Sequence, residues 1–319
     1  MSSEGCVVSV VTTFLDAEKF LREAIESVRA QTFPRWEHLL VDDGSTDSST
    51  RIAREYAVRE PERFRYIEHP GHANLGISAS RNAGIRAARG RMIALLDADD
   101  VYLPDKLERQ VAILDAHPAA AMVYGPSLNW HSWTGRLLDF ARDRPRKLGC
   151  PPDTLVEPPI LLRRLLDRKA WPPAPCSVLI RREAIERVGG FEDDFRSIYE
   201  DQVFYYKLLL EFPVFVEGQG RDRYRQHPES ICNRAIRSGV WVRGRVPNPV
   251  SEVFWRWMNA YFEKKNVTDP AIRRALAREL RPYNNPALYR LMTSRWRVIR
   301  KPVQAAARFL DRFIPGPTS

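Results

Sequence analysis

The stretch Met92-Ile93-Ala94-Leu95-Leu96-Asp97-Ala98-Asp99-Asp100 runs five apolar residues straight into three carboxylates. Ionised groups are costly to desolvate, so a buried strand cannot hold such a cluster in its middle. The strand has to end there and present the acids at its carboxyl end, where open α/β sheets place their ligands. Acids this close repel one another unless a cation sits among them. Oxygen donors of this kind suit Mg²⁺ or Mn²⁺, and those ions suit a diphosphate. Taken alone, the segment is served equally well by a strand end followed by a helix cap.

Upstream, the pattern is strand and helix in alternation. Val7 to Thr13 is a short run rich in β-branched residues, as in a buried parallel strand. Asp16 is placed to cap the helix that follows, in which Phe20, Leu21, Ala24, Ile25 and Val28 recur at helical spacing. Trp36 to Val41 is a second apolar strand that stops at Asp42-Asp43-Gly44-Ser45. Thr46 or Asp47 starts a second helix, and Phe64 to Glu68 is a third strand. Ile77 to Arg89 reads as a small-residue helix closed by Gly90. This order predicts a parallel sheet with right-handed crossovers, so Thr13, Asp42 and Asp97 share one sheet edge. Two acidic clusters then converge on one crevice.

Downstream, Leu107, Val111 and Leu114 mark a helix behind Pro104, and Ala120 to Tyr124 a further strand. Asp100 is read as a cap for that helix. Residues 125–175 are irregular, with Trp130, Trp133, Trp171 and paired prolines, and suit a variable binding surface over a fixed sheet. Glu200-Asp201 opens another helix. Two acids in a first turn pair well with the helix dipole, and a carboxylate held there can also be a general base. Val214–Val216 and Arg223–Arg225 look like short edge strands leading to His227. From about residue 250 the chain turns helical and basic. Past Pro286, arginines alternate with Trp296, Ile299, Phe309 and Phe313, which fits a membrane-surface helix or, equally, a helix docked on its own domain.

With 319 residues, 44% of them hydrophobic and 28% charged, the composition is that of a soluble globule. A net charge of +10 favours anionic partners without choosing among them. The polar start predicts no signal peptide, and four scattered cysteines without a CxxC pair predict neither a zinc site nor a disulfide frame. The expected location is the cytoplasm, with peripheral contact to the inner membrane face through the basic C-terminal helices.

Together, several stretches resemble glycosyltransferase family 2. They are Val8-Ser9-Val10-Val11-Thr12-Thr13-Phe14, Ser27 to Thr32, Val41 to Asp47, Asn74-Leu75-Gly76 with Ala79 to Asn82, Leu96 to Asp100, Tyr199-Glu200-Asp201, and Tyr224 to His227. The resemblance covers roughly residues 6–230. It implies a GT-A fold: a mostly parallel, Rossmann-like α/β sheet flanked by helices, with a helical C-terminal extension. Residues 1–235 would form the transferase domain, 6–124 its nucleotide-sugar half and 125–235 its acceptor half, with 236–319 the basic extension.

The resemblance also implies roles. Thr12, Thr13, Phe14, Asp42, Asp43 and Gly44 would line the nucleotide base. Gly76, Arg81 and Arg225 would lie near the ribose and diphosphate, with Ala98 between the two acids of the motif. Asp97, Asp99 and His227 would serve a divalent cation, Mn²⁺ or Mg²⁺. Asp201 would be the catalytic base, with Glu200 beside it. The donor would be a nucleotide-diphosphate sugar, UDP-linked by preference, and the acceptor a saccharide, a lipid-linked sugar or another hydroxyl. A non-catalytic binder of the same fold stays open, as does a haloacid-dehalogenase-type phosphatase, whose nucleophile motif Leu96 to Val101 also fits. No motif supports nucleic acid as a partner.

Overall fold

The computed structural model describes residues 5–242, 244 and 246–294. These fall into two compact units, divided between Ser230 and Ile231. The strands are β1 (Val8–Phe14), β2 (Trp36–Asp42), β3 (Phe64–Glu68), β4 (Met92–Leu95), β5 (Val101–Tyr102), β6 (Met122–Tyr124), β7 (Leu128–Trp130), β8 (Arg144–Pro145), β9 (Thr154–Val156), β10 (Val178–Arg181), β11 (Val214–Val216) and β12 (Asp222–Arg225). The helices are α1 (Leu21–Arg29), α2 (Ser49–Arg59), α3 (Ile77–Ala87), α4 (Lys106–Ala116), α5 (Leu137–Phe140), α6 (Ile160–Leu166), α7 (Arg182–Val188), α8 (Glu200–Glu211), α9 (Ile231–Ser238), α10 (Pro249–Lys264) and α11 (Pro270–Leu280).

The large sheet of the first unit runs β3-β2-β1-β4-β10-β6-β11-β9. Strands β3, β2, β1 and β4 are parallel, as the alternation of strand and helix predicts. The chain leaves β1 toward β2 and β3, then crosses back to β4 on the other side of β1. That reversal is the topological switch point, and its crevice opens beyond Phe14 and Leu95. Every residue of β1 is buried, because helices cover both faces. Val8 and Val10 join Leu21, Ala24, Ile25 and Val28 of α1 in one apolar cluster. Val11 points the other way, toward α3. A Cβ at Gly84 would stand 2.5 Å from the Val11 Cγ1 atom, so only glycine lets α3 lie this close to the sheet.

Strand β10 enters antiparallel between β4 and β6, which makes the sheet mixed. It also sets Cys176 and Ser177, which precede β10, at the same edge as the end of β4. The two segments expected as edge strands are interior instead. β11 lies between β6 and β9, and β12 lies between β5 and β7 in a small second sheet, β5-β12-β7-β8. The irregular stretch supplies the missing neighbours as strands of two or three residues, too short to show an alternating pattern.

Three local expectations are corrected. Asp16 has a positive φ of 49° and does not cap α1, whose N-cap is Phe20. Its carboxylate accepts from the Thr46 N–H at 2.7 Å and so ties the loop after β1 to the loop after β2. Gly90 does not end α3, which stops at Ala87. A Cβ there would sit 2.6 Å from the Ser9 nitrogen, so Gly90 is required where the chain crosses β1. Asp100 does not cap α4, whose N-cap is Asp105.

In the second unit, Asn248 and Asp269 cap α10 and α11, each followed by proline at the first helical turn. Phe254, Met258, Phe262, Ile272 and Leu276 are buried. Helical backbone resumes over 286–294. Most of the basic segment expected to meet a membrane, including Arg295, Arg297, Arg300, Lys301, Arg308 and Arg312, lies outside the described residues. Among the described residues no helix is long and apolar enough to cross a membrane.

One core group makes stability depend on pH. His38 on β2 is fully buried, with its Nε2 atom 2.8 Å from the Thr12 hydroxyl. Burial pushes its pKa from 6.5 down to about 3. The folded state therefore binds fewer protons than the unfolded state between those values. Stability is full above pH 6.5 and falls as pH drops through that window, by at most about 1.4 kcal/mol per pH unit. Urea melts at pH 7 and pH 5 should show this extra loss in the wild type and not in His38→Gln. Equal losses in both would contradict it.

Candidate active site

The antiparallel pairing of β5 with β12 sets Tyr102 opposite Asp222 and Val101 opposite Arg223. It thereby carries the segment after β12 onto the acids after β4. Asp100, buried, accepts the Arg225 backbone N–H at 2.8 Å, and the Arg225 Nε donates to the Asp99 carbonyl at 2.7 Å. His227 then arrives with Nε2 2.7 Å from Asp99 Oδ2, its other nitrogen facing Glu229 at 3.1 Å. Burial works against a charged ring at His227, but Asp99 and Glu229 outweigh it and raise its pKa.

On the other side of the crevice stands Arg81, from α3. Its side chain is 2% exposed. One amino group donates to Asp97 at 2.8 Å and the other to Glu200 at 3.2 Å. The Phe191 ring lies under the guanidinium at 5.2 Å. Arg81 thus joins the strand-end motif to the first turn of α8. Glu200 is buried, while Asp201 is half-buried and accepts the N–H of Gln202 at 2.7 Å. Burial, then the charge of Asp201, pushes Glu200 up to about 8 against the pull of Arg81. Burial also raises Asp201, with Arg81 opposing.

The end of β2 organises the loops around the crevice. Asp42 is fully buried and accepts from Ser45 N–H at 2.8 Å, Thr50 Oγ1 at 2.6 Å and Tyr66 Oη at 3.1 Å. Asp43 accepts the N–H groups of Leu75 and Gly76 at 2.9 and 3.0 Å, which pins the loop before α3. Gly44 has a φ of +85°, and a Cβ there would meet the His72 carbonyl at 2.9 Å. Thr12, Thr13 and Phe14 are buried at the end of β1, with Thr12 turned to His38.

The structure therefore brings Asp99 to His227, and Asp97 to Arg81 and Glu200. Arg225 is differently placed. Its guanidinium is buried against Phe20, Trp130 and Trp133 at 4.6, 4.4 and 5.2 Å, with Glu23 as its ion-pair partner. It braces the loop of Asp99. Asp100 is expected from sequence as a helix cap and is used differently, and Arg146 carries no sequence signal. Asp100 anchors β12, and Arg146 lies near enough to Asp201 to favour its charged form. Arg146 sits in an aperiodic stretch, where no spacing could single it out.

Among the described residues no group of three or more His, Cys, Asp or Glu side chains is placed to hold a metal ion. An open site is another matter. Adjacent ligands of a six-coordinate Mg²⁺ stand about 3 Å apart. The 2.7 Å between Asp99 Oδ2 and His227 Nε2 is close to that spacing, and a carboxylate with an imidazole suits Mn²⁺. The remaining positions would fall to water and phosphate oxygens.

Known proteins decide the family. The sequence profile of glycosyl transferase family 2 matches residues 9–189. The chain belongs to glycosyl transferase family 2. EpsE of Bacillus subtilis (strain 168), named as a proposed glycosyltransferase, is 39% identical over 115 residues, 36% of this chain and 41% of EpsE. The uncharacterized glycosyltransferase alr2836 of Nostoc sp. is 32% identical over 182 residues, 57% of this chain and 52% of that one. The match to these relatives thus spans about half of their length or less.

Among solved structures, S. aureus TarS 1-349 in complex with UDP-GlcNAc superposes with a TM-score of 0.61 at 21% identity, covering 86% of this chain and 71% of that one. The mannosyltransferase PcManGT from Pyrobaculum calidifontis, in complex with GDP-Man and Mn2+, gives 0.55 at 18% identity, covering 98% and 81%. The family 2 domain shares with these the GT-A fold. Membership in the family also removes the phosphatase alternative: Asp97 follows the end of the fourth strand in chain order, not the first, and is ion-paired with Arg81.

Proposed function

We propose that the chain is an inverting glycosyltransferase that moves a sugar from a nucleoside-diphosphate sugar, UDP-linked by preference, to an acceptor hydroxyl in cell-surface polysaccharide or glycolipid synthesis. The observation that carries this reading is the Arg81 bridge. One buried guanidinium ties Asp97 to Glu200, with Asp201 beside it, and in this reading Asp97 marks the leaving-group end of the crevice and Asp201 the acceptor end. The names of similar proteins support the donor class: TarS is complexed with UDP-GlcNAc, and PcManGT with GDP-Man and Mn2+. TuaG of Bacillus subtilis, 35% identical over 123 residues, is named as a proposed teichuronic acid biosynthesis glycosyltransferase.

Inverting transfer is a single displacement at the anomeric carbon. Asp201 takes the proton from the acceptor hydroxyl as the new bond forms. Glu200 shares a proton equilibrium near neutrality and stays bound to Arg81, which leaves Asp201 as the base. Asp99 and His227 would hold the cation, which when bound neutralises charge on the departing diphosphate. Arg225 keeps Asp99 in place from behind. The loops pinned by Asp42 and Asp43 shape the wall for the nucleotide, and Thr13 and Phe14 close the end of β1 beside them.

The test is calorimetry of UDP in the presence of Mn²⁺. Asp99→Ala and His227→Ala should each weaken binding by about tenfold or more, since losing even an outer-shell partner of a metal ligand costs 10–100-fold. Affinity equal to wild type in both variants would count against the assignment. No dependence on Mn²⁺ in the wild type would do so too.

A further inference from the structure

Between β7 and β8 the chain projects a hairpin whose root, at Trp133, packs on Arg225 and whose tip has no part in the transferase chemistry described above. Its short helix α5 carries Leu137, Leu138 and Phe140, which are 88%, 84% and 57% exposed. Scattered apolar residues on a surface are ordinary, but three large ones in four consecutive positions form a patch. The acids of the hairpin are spent inside it. Asp139 accepts from the Thr134 hydroxyl at 2.7 Å and from Arg142 at 2.8 Å. Asp143 accepts from the N–H of His131 at 2.7 Å and from the Ser132 hydroxyl at 2.6 Å. The exposed charge left around the patch is cationic, from Arg136, Arg144 and Lys147. Trp171 stands half-exposed beside them, its backbone N–H donating to the Lys147 carbonyl at 2.9 Å.

An apolar tip, a basic rim and a tryptophan at the boundary match the layers of a lipid surface: acyl chains, anionic head groups and the interface between them. We propose that residues 136–147 seat the first unit on an anionic bilayer, with Leu137, Leu138 and Phe140 entering the head-group region. The root of the hairpin fixes where that contact lies. Trp133, in the turn before α5, donates its indole N–H to the Gln226 carbonyl at 3.0 Å and packs on Arg225. The hairpin therefore rises from the wall that carries His227. A bilayer held there would bring a lipid-linked acceptor to the mouth of the crevice. That corollary rests on the transferase reading; the membrane contact does not.

Flotation of the full chain with vesicles tests this. Wild type should float with mixed phosphatidylglycerol and phosphatidylcholine and stay behind with phosphatidylcholine alone. The triple variant Leu137→Ser, Leu138→Ser, Phe140→Ser should bind the anionic vesicles at least about tenfold more weakly, from the apolar area lost. Arg136→Gln with Arg144→Gln should lower binding and its salt dependence. The basic sequence after residue 286 is present in every protein, so a loss belongs to the hairpin. Melting temperature and the thermal shift with UDP and Mn²⁺ should be unchanged in the variants. The proposal is overturned if wild type ignores anionic vesicles, or if the triple variant floats as wild type does. It is also overturned if the patch instead holds a dimer that the triple variant dissolves in the absence of lipid. A wild type that floats but shows no shift with UDP and Mn²⁺ would sink the transferase reading and leave the membrane contact standing.

Discussion

Asp201→Asn should lower kcat by about 10²- to 10⁴-fold, the range a positioned general base contributes, while UDP-sugar affinity stays at the wild-type level. Asp201 follows directly on Glu200, which Arg81 holds, and it is the less buried of the two acids. Asn keeps its size and can still accept the Gln202 N–H, so the fold is not disturbed. The pH profile offers a second readout. Burial raises the Asp201 carboxyl above its ordinary 3.8, so the acid limb of kcat/KM in the wild type should lie above that value. Residual turnover in the Asn variant should lack that limb. Glu200→Gln should cost less, because Gln can still accept from Arg81. Single-turnover kinetics with bound donor would separate these effects, and turnover by Asp201→Asn at the wild-type rate would refute the role.

Arg81→Met should cost about 3–5 kcal/mol of stability, since removing one partner from a buried ion network leaves the others uncompensated. For a domain of this size that is a fall in melting temperature of roughly 10 °C. The size follows from Arg81 being 2% exposed and answering two carboxylates, Asp97 and Glu200, from elements far apart in sequence. The deficit should narrow as pH falls, because Glu200 without its cation takes up a proton more readily. Arg81→Lys should recover only part, since an ammonium cannot fork to two carboxylates as a guanidinium does. A melting temperature for Arg81→Met equal to wild type would show that the bridge does not hold the two halves of the crevice.

The half of the sheet made of β1 to β4 was legible because each strand there is a run of buried aliphatic residues bounded by a patterned helix. Such runs specify both the element and, through the handedness of the crossover, which ends share an edge. The same logic put Asp42 and Asp97 in one crevice and Asp201 at the start of α8. It failed where contacts depend on strands of two or three residues. Asp100 looked like a helix cap because Pro104 follows it, yet its partner is the backbone of Arg225, 125 residues on. The family resemblance implied a place for Arg225 near the diphosphate, but Trp130 and Trp133 enclose it from the irregular stretch. Gly90 looked like a helix stop, and its reason is the crossing over β1. In each case local sequence carried the residue type, and a distant segment decided its use.

The proposed arrangement puts the leaving diphosphate and its cation on Asp99 and His227, with Asp201 facing the acceptor. Anomalous diffraction from crystals grown with UDP and Mn²⁺ tests it most directly. The expected result is one strong manganese peak bonded to the Asp99 carboxylate, the His227 imidazole and the UDP phosphates, with Asp97 still held by Arg81. A manganese peak at Asp42 and Asp43, or UDP bound away from the end of β4, would contradict it.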